Sequence, residues 1–230
     1  YACHPTTSSA YMISGDYPGA AMRDLRATGN GNRAAMFLQG AAGDLRVPCT
    51  NEEGTEFASG SPDKVVAYGS MMARATRRIL KTNMARMSPR FASGRLTFTL
   101  PYGDRVTTSQ GLHSAYMAQL RKTPGIKKRK GIAMDWTVWQ LSRDCLLMAA
   151  PGEICHMTGK LSKRLSGARY PFFLGYANGL PGYIPTDKIL QEGGYEPDGS
   201  LVPYMEPFQL KAGVDKIMRD TLAQVLGEIS

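Results

Sequence analysis

Three short pieces of the sequence carry residues able to hold a metal or move a proton. They are Cys3-His4-Pro5-Thr6-Thr7, Ala150-Pro151-Gly152-Glu153 and Asn178-Gly179-Leu180-Pro181-Gly182-Tyr183-Ile184-Pro185-Thr186. Each sets one potential metal ligand (His4, Glu153 or Tyr183) beside Gly or Pro. Glycine lets a backbone pass close to a ligand, and proline stiffens the loop that carries the group. Taken singly, each also has a plain structural reading: a hydrogen-bonded His, an acid at a helix start, a packed aromatic. Residues so far apart act together only if a fold gathers them. Together they point to a metal-dependent hydrolase. A fourth piece, Glu153-Ile154-Cys155-His156, has Glu-x-x-His spacing. On a helix that spacing puts both side chains on one face, which would make His156 a reserve ligand.

The elements that must position these residues follow from hydrophobic periodicity. Tyr11-Met12-Ile13-Ser14 reads as a strand end, and residues 19–28 read as a helix with Asp16 near its cap and Pro18 in its first turn. Ala34 to Leu38 is a short apolar run suited to a buried strand. It leads into the Gly-rich loop Gln39-Gly40-Ala41-Ala42-Gly43-Asp44. This strand, helix, strand, loop order favours α/β architecture. Residues 51–62 are a polar loop. Residues 63–83 form an amphipathic helix, with Val65, Val66, Tyr68, Gly69, Met72, Ala73, Thr76, Ile79 and Leu80 as its apolar face. Strands are predicted over 91–101, 134–142, 144–149 and 172–176. Helices are predicted over 109–122, 153–166 and 213–227, the second opened by Glu153 at its positive end. The expected fold is a mixed β-sheet flanked by helices in one domain over residues 1–230.

Composition narrows the function classes. At 230 residues, 43% hydrophobic and 20% charged, the chain is long and apolar enough for a real core. No apolar run approaches membrane-spanning length. The net charge is +9, densest at Arg121-Lys122 and Lys127-Lys128-Arg129-Lys130. That run fits a solvated loop or contact with an anionic membrane surface. It lacks the interleaved aromatics that stack bases, so no nucleic-acid partner is expected. Cys3, Cys49, Cys145 and Cys155 make no CxxC pair, and both two disulfides and four buried thiols remain open.

In order, the motifs His4-Pro5-Thr6, Ile13-Ser14-Gly15-Asp16-Tyr17-Pro18-Gly19, Phe37-Leu38-Gln39-Gly40-Ala41-Ala42-Gly43-Asp44-Leu45, Ala150-Pro151-Gly152-Glu153 and Gly175-Tyr176-Ala177-Asn178 through Thr186 resemble the neutral/alkaline non-lysosomal ceramidase family, most of all its shorter bacterial members. The resemblance spans about residues 2 to 200 and extends to Glu192-Gly193-Gly194-Tyr195-Glu196. It implies a zinc amidase in which His4, Glu153 and Tyr183 are metal ligands and Tyr183 also stabilises the developing oxyanion. It places a further His upstream of His4, before the present first residue Tyr1. Asp16, Gly43 and Asp44 would line the substrate pocket. A functionally important Ser of the family is Arg46 here. A guanidinium cannot act as a nucleophile but suits a carboxylate or phosphate. The expected substrate is therefore a small-molecule or lipid amide carrying an anionic group, with Arg46 orienting it. An inactive module on anionic lipid is the rival reading. The resemblance also implies a secreted or periplasmic protein.

Overall fold

The computed structural model describes residues 1–9, 13–27, 34–103 and 112–229. These form two compact units, one of Tyr1, Cys3–Leu38 and Leu45–Arg86, the other of Ala2, Gln39–Asp44 and the chain from Met87 onward.

The first unit is built on two helices, α1 (Asp16–Ala27) and α2 (Pro62–Leu80). Ser61 caps α2 by accepting the Lys64 amide, and Pro62 fits its first turn. The helices meet where Gly69 abuts Ala20. A Cβ at Gly69 would lie 2.4 Å from that of Ala20, so the crossing needs glycine. Arg77 ties α2 to Asp24 of α1 at 2.9 Å. Cys3, Tyr17, Val47 and Cys49 form a small core with Phe37, Tyr68 and Met72 against it.

Two expectations change in this unit. Ala34 to Leu38 is not a buried strand: its residues alternate in exposure, and Met36 is 80% exposed. The run is apolar but has no neighbouring strand to pair with among the described residues, so the strand–helix–strand reading of the first 50 residues fails. The buried face of α2 is also narrower than its pattern implies. Val65, Gly69 and Ala73 are buried, whereas Val66, Ile79 and Leu80 face out. The strand end expected at Tyr11–Ser14 falls partly outside the described residues.

The second unit holds the sheet. Its elements are β1 (Pro89–Pro101), α3 (Leu112–Lys122), α4 (Pro124–Lys127), β2 (Gly131–Ser142), β3 (Cys145–Ala149), β4 (Glu153–Ile154), α5 (His156–Leu165), β5 (Tyr170–Leu174), β6 (Tyr183–Ile184), α6 (Asp187–Glu192) and α7 (Val214–Ile229). The four-stranded sheet runs β1-β2-β3-β5, and β4 pairs with β6 in a separate ribbon. β1, β2 and β3 are antiparallel neighbours, while β3 and β5 are parallel. The parallel step needs a crossover, which α5 supplies. The expected mixed α/β architecture is what the chain adopts.

Period-two alternation on β2 buries Ile132, Met134, Trp136 and Val138 on one face. Helix α7 covers that face with Val214, Met218, Leu222, Val225 and Ile229, spaced four, four, three and four residues apart. Gly94 on β1 lets α7 close in, since a Cβ there would sit 2.9 Å from both Val225 and Ile229. The buried Trp136 indole donates to Thr221 of α7 at 3.0 Å. All four cysteines are buried thiols, which resolves the choice left open by their number. Among the described residues, no helix is long and apolar enough to cross a membrane.

Candidate active site

Strand β3 ends in the turn Ala150-Pro151-Gly152, which hands the chain to β4. Gly152 has φ +86°, and a Cβ on it would lie 2.8 Å from the Gly182 carbonyl. Only glycine serves there without strain. The turn is laced to the Asn178–Tyr183 loop. Gly152 N–H donates to Gly179 O at 3.1 Å and Glu153 N–H to Gly182 O at 2.8 Å. β4 and β6 then pair in parallel with Glu153 opposite Tyr183. Opposed residues on neighbouring strands project to the same face. The two motifs therefore deliver their functional residues to one place by backbone register.

The Asn178 loop has its own anchor. Asn178 sits at φ 63°, a region short polar residues tolerate. Its side-chain amide donates to Asp135 at 2.8 Å and Thr137 at 2.9 Å, both on β2. Arg95 on β1 pairs with the same Asp135 at 3.0 Å. The loop is thus pinned to the sheet.

Glu153 is 6% exposed. A buried carboxylate is costly unless hydrogen-bonded, and here phenols supply the bonds. Tyr176 Oη donates to Glu153 Oε2 at 2.7 Å, and Tyr204 Oη donates to Oε1. The Tyr183 ring packs edge-on against Tyr195 at 5.6 Å and Tyr204 at 6.0 Å. Burial first, and then the hydrogen bond to Glu153, pushes Tyr176 and Tyr204 above the ordinary phenol range. Burial and the Glu153 charge do the same to Tyr183. All three phenols are therefore hydrogen-bond donors at neutral pH. The centre is one buried carboxylate satisfied by surrounding phenol donors.

The other expected site residues are divided between the two units. His4 belongs to the first unit, where its Nδ1 lies 3.1 Å from the Leu45 carbonyl. A carbonyl only accepts, so Nδ1 carries the proton and the neutral ring keeps its lone pair on Nε2. Asp16, also in the first unit, is an internal anchor. Its carboxylate accepts from the Thr7 amide and hydroxyl, the Ser8 amide and the Tyr17 amide. Arg46 is exposed and stacks over the Phe57 ring at 4.6 Å. In the second unit Gly43 is a close-approach glycine: a Cβ would lie 2.5 Å from Glu153 O, and Gly43 N–H donates to Ile154 O. Asp44 binds His156.

The Glu153 region corrects the predicted helix. Glu153 does not open a helix; it lies on β4, and α5 begins at His156. Glu153 and His156 therefore do not share a helical face, and the reserve-ligand geometry is absent. Pairing with β6 holds Glu153 extended against its local preference. Tyr176, Tyr195 and Tyr204 were not singled out from the sequence. The first two stand inside quoted motifs, but Tyr204 stands in none, and only the fold brings it to Glu153. In the basic run, Arg121 donates to Pro207 O and Arg129 pairs with the buried Glu206. Lys122, Lys128 and Lys130 point outward.

Glu153 and Tyr183 supply two oxygens, and a zinc tetrahedron takes four ligands. Among the described residues no three His, Cys, Asp or Glu side chains gather as a metal group. The donors of this unit alone do not make a zinc site.

No protein-family model matches the chain, and no curated protein sequence does. Solved structures do match. The fold is similar to neutral ceramidase from Pseudomonas aeruginosa, with a TM-score of 0.68 and 17% identity over the whole of this chain and 44% of that one. A second structure, described as ceramidase complexed with C2, gives a TM-score of 0.68 and 16% identity over the whole chain and 45% of that one. The chain thus has a ceramidase-like fold and spans less than half the length of these proteins.

Proposed function

We propose that this chain carries part of the centre of an acyl-amide hydrolase of the ceramidase kind. The observation that carries the reading is the buried Glu153 carboxylate, in register with Tyr183 and held by the Tyr176 and Tyr204 phenols. A fold shared with ceramidases supports it.

The roles of the residues follow from their chemistry. Amide hydrolysis builds negative charge on the carbonyl oxygen, and preorganised donors aimed at that charge lower the barrier. We assign that role to the Tyr183 phenol, which Glu153 also holds by a hydrogen bond. Its shift upward from burial keeps it protonated. Glu153 fixes the phenols around it by accepting from them, and a carboxylate in this position can also take a proton from an attacking water. The β4–β6 pairing and the Asp135–Asn178 anchor hold the constellation rigid, which matters because small misplacements cost catalysis heavily. The roles given to Glu153 and the phenols do not depend on a bound metal. A secreted or periplasmic location and an amide substrate with an anionic group belong to the same reading. Arg46 is the cation on which that substrate preference would rest.

The test is hydrolysis of a fluorogenic long-chain N-acyl amide by the wild-type protein and by Glu153→Gln. The variant keeps the size and one acceptor of the side chain. Its rate is expected to fall by on the order of 100-fold or more, the usual contribution of a positioned acid–base group. A variant as active as the wild type would sink the reading.

A further inference from the structure

Three residues beyond Glu153, a second pair of groups has the geometry of a catalytic dyad. Asp44 Oδ2 lies 2.5 Å from His156 Nδ1, and Asp44 Oδ1 accepts the His156 backbone amide at 2.6 Å. Helix α5 starts here with Cys155 at its cap position, which makes no side-chain capping bond. The Gly-rich loop supplies that cap from more than a hundred residues away in sequence. One carboxylate therefore fixes the imidazole twice, through its backbone and through its ring. The loop is itself held, since Gly43 N–H donates to Ile154 O at 2.9 Å and Ala41 packs on Gly159 of α5.

This arrangement decides the tautomer. A carboxylate accepts, so Nδ1 bears the proton, and the neutral ring presents a lone pair on Nε2. The Asp44 side chain is 16% exposed and the His156 side chain 37%, so the orienting partner is covered while the ring reaches solvent. A plain helix cap needs only Asp44 Oδ1; the second, short contact to the ring goes beyond capping.

We propose that His156, oriented by Asp44, is a general base for hydrolysis of small acyl esters, independent of the Glu153 cage. Nε2 takes a proton from water as the water oxygen bonds to the ester carbonyl carbon. The bond from that carbon to the leaving oxygen then breaks, the alcohol or phenol departs, and the imidazolium returns its proton to solvent. The net change is ester plus water to acid plus alcohol, with no other reactant.

The probe is p-nitrophenyl acetate, offered to the EDTA-treated protein. His156→Gln should lower the protein-dependent rate by on the order of 100-fold. Asp44→Asn separates the dyad from a simple cap. An Asn oxygen can still accept the His156 amide, but its NH2 group would donate to Nδ1 and drive the proton to Nε2, removing the base. Its rate should fall comparably with the fold intact. Long-range 15N–1H NMR of the His156 ring should show Nδ1–H in the wild type and Nε2–H in Asp44→Asn. Unchanged ester hydrolysis in either variant, or an Nε2–H ring in the wild type, overturns the proposal. Loss of N-acyl amide turnover with the ester reaction intact would leave this proposal standing while the amidase reading falls.

Discussion

At the scale of single residues, the fold gives acidic side chains unlike jobs. Asp16 is consumed as a structural acceptor, Glu153 is caged by phenols, and Asp44 orients an imidazole. Asp215 is a fourth case. Its Oδ2 accepts the Asp187 amide, but burial raises its pKa, outweighing that bond, and the Asp187 charge adds to the rise. A carboxyl with a raised folded-state pKa binds its proton more tightly in the folded than in the unfolded chain. Its contribution is fully present below the ordinary carboxylate value and is lost as pH climbs through the folded value. Asp215→Asn keeps an acceptor and has no charge to desolvate. Urea unfolding should therefore find the variant more stable than wild type at pH 7, with the difference vanishing near pH 3. A variant less stable at both values would contradict this. Asp16, Glu153 and Asp44 stand out in the sequence but their jobs do not, because a carboxylate's role depends on which donors reach it. Arg46 shows the same limit, since its partner Phe57 comes from a loop with no local signal.

At the scale of elements, legibility tracked how much of the stabilisation is local. Helix α7 has an unbroken apolar stripe, and β2 alternates over its whole length, so both were plain in the sequence and both are present. Glu153-Ile154 and Tyr183-Ile184 are strands of two residues, too short for any periodic signal, and they exist because they pair with each other. The misread start of α5 has that cause: β pairing overrode an acid that favours a helix N-terminus. Helix α7 also yields a prediction. Leu222 is fully buried against the sheet. Leu222→Ala should cost about 2–5 kcal/mol of unfolding free energy, measured by urea denaturation. A cost under about 1 kcal/mol would mean that α7 does not pack on β1 and β2 as described.

At the scale of the whole molecule, the chain shares its fold with proteins more than twice its length. Zinc is the question that belongs here. The resemblance implies a site using His4, Glu153 and Tyr183, and the second unit supplies two of those donors. Elemental analysis of wild-type protein beside Glu153→Ala addresses it. Near-stoichiometric zinc that disappears in the variant is the outcome the resemblance predicts. Zinc absent from both would remove the metal from the proposed function and leave the carboxylate and its phenols.

By itself, the sequence determined the mixed α/β class, the strands from β1 to β3 and the helices α2 and α7, and it marked the Glu153 and Tyr183 motifs without showing that they pair. Those features rest on periodic burial and on Gly and Pro at fixed positions, which are local properties of the chain. Tertiary structure alone decided that Ala34 to Leu38 stays outside any sheet, that Tyr176 and Tyr204 close on Glu153, and that Asp44 takes His156. Each of these depends on which residue meets which across long stretches of chain. Local propensity carries no information about such meetings; packing and hydrogen-bond satisfaction select them once the fold has closed.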